Sequence, residues 1–262
     1  MIIDSHCHLT DFSDSEISNI ILRASQADIK ILHNICVKLD DIPRLVDISS
    51  LYKQVFFSIG IHPLDSSIEE GICIQHSELI QLSKIQQVIS IGETGLDFLK
   101  SNNKDNQEKS FLSHIEAARV SHLPLVIHTR NADESTIKIL QSEMHKGEFS
   151  GLIHSFTSSK KLAYQLLDLG LYISFSGIIT FKNASILRQI FKLIPRERVL
   201  IETDTPYLTP HPYRRQKNEP YMLKYIIECI SELWSESFWN VADITTNNFF
   251  RLFNNVMVQK NS

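Results

Sequence analysis

Glycine is scarce in this chain, at 8 of 262 residues. No GxGxxG and no GxxxxGK[ST] occurs, which removes the dinucleotide and P-loop readings, since both need glycines where backbone N–H groups approach phosphate. Cys7, Cys36, Cys73 and Cys229 are dispersed with no CxxC pair, so reduced thiols in the cytosol are expected. No apolar run approaches the ~20 residues that span a bilayer, and no positive segment precedes an apolar stretch at the N-terminus, so a cytoplasmic protein with no membrane contact is expected. Positive charge is not in excess either. The formal charge is −4 and the pI about 6.3, which excludes a basic, nonspecific nucleic-acid coat; a polyanionic substrate would have to be held by local cations and metal ions. Linkers, low-complexity tracts and internal repeats are absent too, so residues 1–262 are expected to form one domain.

What is present is a soluble globular composition, 43% hydrophobic and 21% charged, arranged as short apolar runs between helical segments. Eight runs read as strands: Met1 to His6, Lys30 to Cys36, Val55 to Ile61, Val88 to Glu93, Leu123 to His128, Gly151 to Phe156, Leu171 to Ser176 and Arg198 to Thr203. Helical spacing marks Ser15 to Ala27, Gln107 to Ser121, Ser159 to Leu169, Asn183 to Ile194 and Pro220 to Trp234, with a final extra helix over Trp239 to Phe253. Nearly continuous apolar strands alternating with helices imply a parallel sheet covered by helices. An open doubly wound sheet shares that alternation. Polar residues, however, end six of the eight runs, and only closure brings all those ends around one mouth. The expected fold is therefore an α/β (β/α)8 TIM barrel with an extra C-terminal helix, and Asp97 to Asp105 and Tyr207 to Glu219 are expected as longer loops over its mouth.

The strand ends carry imidazoles and carboxylates. Asp4, His6 and His8 stand at period two in IIDSHCHL, which on a strand puts them on one face with Cys7 turned away. A single buried histidine is most often satisfied by a core hydrogen bond, but two on one face at a strand end point to metal ligation, with Asp4 as a supporting partner. Glu93 in GETGLD would be costly to bury unpaired; a cation compensates it, as would a salt bridge to Arg130. His128 in PLVIHTRNADE, His154 in GLIHSF and Asp204 in IETDTPYL follow the same logic, with Glu202 in a hydrogen-bonding role. His62 in GIHP is equally a substrate or phosphate contact and a loop residue ordered by Pro63. His33, His76, His114, His122 and His145 are expected in structural or solvated positions.

Four imidazoles and two carboxylates exceed what one zinc ion takes from a protein. The surplus implies two divalent metals about 3.5–4 Å apart, sharing a carboxylate and a water, and hence hydrolysis. Imidazole-rich ligation suits Zn and Mn, and carboxylates also admit Mg. Arg130, two residues beyond His128, offers a fork for phosphate, and the basic loop with His211, Arg214, Arg215 and Lys217 follows strand eight, where barrel enzymes often bind phosphate. Arg214 and Lys217 are therefore candidate substrate contacts alongside His62 and Arg130.

Together IIDSHCHL, GIHP, GETGLDF, PLVIHTRNADE, HSFT, IETDTPYL, PYRRQKNEP and TTNNFFRLF span the chain in order. In this respect the sequence resembles the TatD family of metal-dependent deoxyribonucleases, within the amidohydrolase-like barrel enzymes. The resemblance implies that His6, His8, Glu93 and Asp204 hold one metal and Glu93, His128 and His154 the other. It makes Glu93 the bridge and has Asp204 orient or deprotonate the attacking water, so that both are catalytic. It further implies phosphodiester hydrolysis of DNA from a 3′ end, on single-stranded or frayed substrate. Thr10, Ser155, Ser158 and Lys217 depart from the family's usual residues, which bears on substrate preference and not on the ligands. A hydrolase of small amides or esters, or of an aminoacyl-tRNA ester, is the competing reading, favoured by the acidic net charge and the lack of an aromatic platform for nucleic acid. A noncatalytic metal-binding barrel is a third, opposed by the complete ligand set. No partner chain is called for, so a monomer is the default expectation.

Overall fold

The computed structural model describes residues 1–66, 74–101 and 103–256. Eight parallel strands follow one another around a single sheet in chain order. They are β1 (Ile2–Cys7), β2 (Ile29–Asn34), β3 (Val55–Ile59), β4 (Val88–Asp97), β5 (Leu125–Arg130), β6 (Gly151–Ile153), β7 (Tyr172–Phe175) and β8 (Val199–Ile201). The helices among the described residues are α1 (Asp14–Gln26), α2 (Ile42–Leu51), α3 (His76–Leu82), α4 (Lys104–Ser121), α5 (Asp133–Lys146), α6 (Lys160–Asp168), α7 (Ser185–Phe191), α8 (Leu223–Trp234) and α9 (Phe238–Leu252). The α/β barrel with an additional C-terminal helix is thus as expected. None of these helices is long and apolar enough to cross a membrane.

Local chemistry explains the elements. α1 starts at a Ser13–Glu16 capping box and buries Ile17, Ile20, Ile21 and Ala24, a helical stripe laid on the sheet. α2 carries a proline in its first turn, where no backbone donor is lost. Most strand ends fall within two residues of the expected ones, and two larger differences bear on the mouth. β4 does not stop at Glu93 but runs four residues further, all of them buried, so Asp97 belongs to a strand end and not to the loop that follows. β6 is shorter than expected and leaves His154 just past its end, where Ser155 turns the chain with a φ of 42°.

Closure is made between β1 and the segment after β8. Asp204 N donates to His6 O (2.9 Å), His8 N to Thr205 O (2.7 Å) and Ser5 Oγ to Ile201 O (2.9 Å). Asp4 adds a side-chain stitch: its Oδ1 accepts from Thr203 N (2.9 Å) and its Oδ2 from Thr203 Oγ1 (2.5 Å). Burial pushes the Asp4 carboxyl up to about 7 against the lowering effect of those bonds. The same-face reading of Asp4, His6 and His8 is therefore corrected. The β1–β2 register shifts between Asp4 and Cys7, and Asp4 binds the neighbouring segment while the two imidazoles turn into the mouth.

One residue from each strand fills the closed end of the barrel: Ile3, Ile31, Phe56, Ile89, Val126, Leu152, Tyr172 and Leu200. Phe249, Leu252, Phe253 and Val256 cap that ring, so the extra helix is the barrel's plug. Asn248 ties it down by donating to Arg196 O (2.7 Å) and Val199 O (2.8 Å). Above the ring, buried His33 donates from Nδ1 to Ser5 O (3.0 Å) and accepts at Nε2 from Ser90 Oγ (2.8 Å), a satisfied core histidine as expected. Phe253→Ala should cost about 3–5 kcal/mol by opening a cavity under that layer. It would be read as a lower denaturant midpoint at unchanged slope; a loss below about 1 kcal/mol would show that the plug does not stabilise the barrel.

Candidate metal centre and active site

Five strand ends deliver six side chains to one point at the mouth. β1 and the turn after it bring His6 and His8, β4 brings Glu93, β5 brings His128, and the turns after β6 and β8 bring His154 and Asp204. The two Glu93 oxygens face different neighbours. On the Oε2 side, His6 Nε2 lies 3.5 Å away, and His6 Nε2 is 3.2 Å from His8 Nε2. Asp204 Oδ1 completes that side at 3.5 Å from His6 Nε2 and 3.3 Å from His8 Nε2. On the other side, Oε1 lies 2.9 Å from both His128 Nδ1 and His154 Nε2, which are 3.0 Å from each other. Asp204 is held in place by a backbone φ of 58°, a conformation that few non-glycine residues adopt.

Two further carboxylates stand behind the imidazoles. Asp97 Oδ2 is 3.6 Å from His128 Nε2, and Glu202 Oε1 is 3.4 Å from His154 Nδ1. Each favours the tautomer whose proton sits on the nitrogen turned away from Glu93, so that the facing nitrogen presents a lone pair. Glu202 Oε1 is itself fixed by Ser155 N at 2.7 Å. Asp97 is fixed by Leu99 N and Lys100 N, each at 3.0 Å. Burial works to raise Asp97, but His128 and these N–H groups hold it down to about 2.

The donor set fits divalent cations. Lone pairs on His128 Nδ1 and His154 Nε2 crowd a carboxylate oxygen at 2.9 Å, an arrangement that repels itself unless positive charge lies among them. Spacings of this size are the edges of coordination polyhedra whose metal–ligand bonds are about 2.0–2.2 Å. Protons answer the same demand when no cation does. Burial opposes charge on His154, yet Glu93 and Glu202 hold it well above its ordinary value. Burial would likewise raise Glu93, but His154, His62 and His128 keep it well below the usual glutamate range. For Asp204, burial is outweighed by His8, His6 and His154, and the carboxyl is lowered.

His62 differs from the others. Leu64 N donates to its Nδ1 (3.1 Å), and burial lowers the ring to about 4. The neutral ring therefore carries its proton on Nε2, 3.5 Å from Glu93 Oε1, and acts as a hydrogen-bond donor. His114, neutral and buried, steadies this segment by accepting from Ile61 N at 3.0 Å.

The mouth is a cavity of about 580 Å³ whose lining includes His62, Arg130, Lys100 and Tyr207 as well as ligand candidates. Arg130 is exposed at its rim. Arg214 and Lys217, expected as phosphate contacts, are not part of that lining. The Arg214 guanidinium lies 3.5 Å from the centre of the Phe181 ring. Lys217 Nζ pairs with Glu16 Oε1 (3.2 Å) and covers the Phe12 ring at 3.7 Å. Both charges are taken up by neighbours distant in sequence. Asp97, expected at the start of a loop, instead continues the period-two series Glu93, Gly95, Asp97 along β4.

The family model described as TatD related DNase matches residues 3–254. An uncharacterized metal-dependent hydrolase of Buchnera aphidicola is 40% identical, with 97% of this chain and 99% of that protein covered. The 3′-5′ ssDNA/RNA exonuclease TatD of Escherichia fergusonii is 30% identical, with 90% and 92% covered. Among solved structures, the TatD homologue YjjV of Escherichia coli superposes with a TM-score of 0.88 at 24% identity, covering 97% and 98%, and supports the fold alone. With its model matched over nearly the whole length, this chain belongs to the TatD family of metal-dependent hydrolases.

Proposed function

We propose that the protein is a divalent-metal-dependent exonuclease that hydrolyses DNA phosphodiesters from the 3′ end of single-stranded or frayed strands. The observation that carries this reading is the Glu93 carboxylate, whose two oxygens face two separate sets of donors. His6, His8 and Asp204 with Glu93 would hold one cation, and His128 and His154 with Glu93 the other. The relative named as a 3′-5′ ssDNA/RNA exonuclease supports the substrate class and direction. Bound there, two divalent cations would bring the pKa of a water towards neutrality and offset charge on the phosphodiester.

The chain's own groups supply the rest. Asp204, at the edge of the cluster, takes the proton of the attacking water as the new bond to phosphorus forms and the bond to the 3′ oxygen breaks. The Nε2–H of His62 and the Arg130 guanidinium bind non-bridging phosphate oxygens. Asp97 and Glu202 hold His128 and His154 in the tautomer that turns lone pairs inward. Closely spaced groups held by buried hydrogen bonds, rather than a flexible base, set the reaction geometry.

An end-labelled single-stranded oligonucleotide incubated with Mg, Mn or Zn should shorten from its 3′ end, and chelation should stop the reaction. Asp204→Asn and Glu93→Gln should each lower the rate by roughly 10²-fold or more; full activity in both would overturn the mechanism. Turnover of an ester or amide panel without any cleavage of oligonucleotides would move the protein to the competing substrate class. Metal content should be two ions per chain in the native protein and lower in Glu93→Gln, by elemental analysis of the folded proteins. Asp97→Asn should weaken metal affinity by about 10- to 100-fold while all ligands stay in place, as titration calorimetry would show.

A further inference from the structure

An exposed aromatic ring is pinned beside the cluster. Tyr207 is 54% exposed and lines the mouth. Its hydroxyl donates to Asp11 Oδ2 at 2.8 Å, which holds the ring from one end. Its backbone is fixed at both polar atoms: the N–H donates to Asp204 O (2.8 Å), and the carbonyl accepts from Asn218 Nδ2 (2.5 Å). Asn218 is fully buried and donates also to Thr203 O at 2.8 Å, so the Tyr207 backbone is referred directly to the strand end that carries Asp204. The ring meets the edge of His8 with centroids 6.0 Å apart. Leu208 and Ile178 add apolar surface to the same lining, whereas Lys100 and Arg130 stand among the lining residues contributed by β4, β5 and the turns after them.

An aromatic side chain left in water but held by a hydrogen bond at its hydroxyl, on a backbone fixed by two more, is prepared to receive a planar partner, since part of the ordering entropy is already spent. We propose that Tyr207 is the platform on which the terminal nucleobase stacks, and that it is a specificity-determining residue of this mouth. The inference rests on the nuclease reading and deepens it. The scissile phosphate would lie over the Glu93 cluster, the terminal base against Tyr207, Leu208 and Ile178, and the preceding phosphate towards Arg130 and Lys100. Stacking tolerates every base, because each has a π-face, so the platform predicts removal of any 3′-terminal nucleotide and discrimination against one that lacks a base.

Two oligonucleotides test this, identical except that one ends in an abasic tetrahydrofuran nucleotide at its 3′ terminus. The native enzyme should remove the intact terminal nucleotide with a kcat/KM roughly 5- to 150-fold above that for the abasic one. In Tyr207→Ala the ratio should fall towards unity, while Tyr207→Phe, which keeps the ring and loses only the Asp11 bond, should keep most of it. A ratio in Tyr207→Ala equal to the native ratio overturns the platform, whatever the absolute rate, since a merely structural role would slow both substrates alike. Failure of the native enzyme to shorten either oligonucleotide instead overturns the nuclease reading, and the platform falls with it.

Discussion

Glu93 is only 2% exposed, with each carboxylate oxygen turned to a different group of imidazoles, and a buried carboxylate there is tolerable only while positive charge surrounds it. The requirement propagates outward. It sets which nitrogen of His128 and His154 faces inward, and through those tautomers it places Asp97 and Glu202 behind them. The barrel then has to bring five strand ends within a few ångströms of one atom pair. Closure between β1 and the segment after β8 does this, because the bonds that join the barrel's edges, Asp204 N to His6 O and His8 N to Thr205 O, belong to three of the cluster's own residues. Fold closure and site assembly therefore share hydrogen bonds.

Close packing of strands beneath the mouth has its own cost in side chains. Gly95, with a φ of 133°, lies where a Cβ would run into the His128 carbonyl, so β4 and β5 can pair tightly next to Glu93 only with glycine at that position. The same glycine interrupts the apolar run at Glu93, so the sequence pattern alone does not carry the strand on to Asp97 behind His128.

Much of the candidate site is nevertheless legible in the sequence alone. Residues at strand ends have positions dictated by a period of two and by barrel topology, so His6, His8, Glu93, His128, His154 and Asp204 converge as anticipated. What could not be read depends on contacts between distant segments. Asp4 left the series because β1 changes register, and its partner Thr203 is 199 residues away. Arg214 and Lys217 sat in a loop of suitable composition, yet Phe181 and Glu16 intercept them. Helices α2, α3 and α5 fill stretches where apolar spacing gave no distinct stripe. Tyr207, in a loop of prolines and cations, matched no aromatic platform motif because its rigidity comes from Asp11 and Asn218 rather than from immediate neighbours in sequence.

The acidic character of the chain, formally −4, stands against a polyanionic substrate only if the mouth keeps the sign of the whole. Without cations, protons drawn onto imidazoles such as His154 offset the cluster's two carboxylates; two divalent cations in their place would make the mouth locally positive. In a cleft with low-dielectric walls, that local charge governs attraction more than the distant net charge, which salt screens over about 8–10 Å. On the nuclease reading proposed above, metal loading and nucleic-acid affinity are coupled: the loaded mouth attracts a strand more strongly than the empty one, and Arg130 and Lys100 among its lining residues orient that strand.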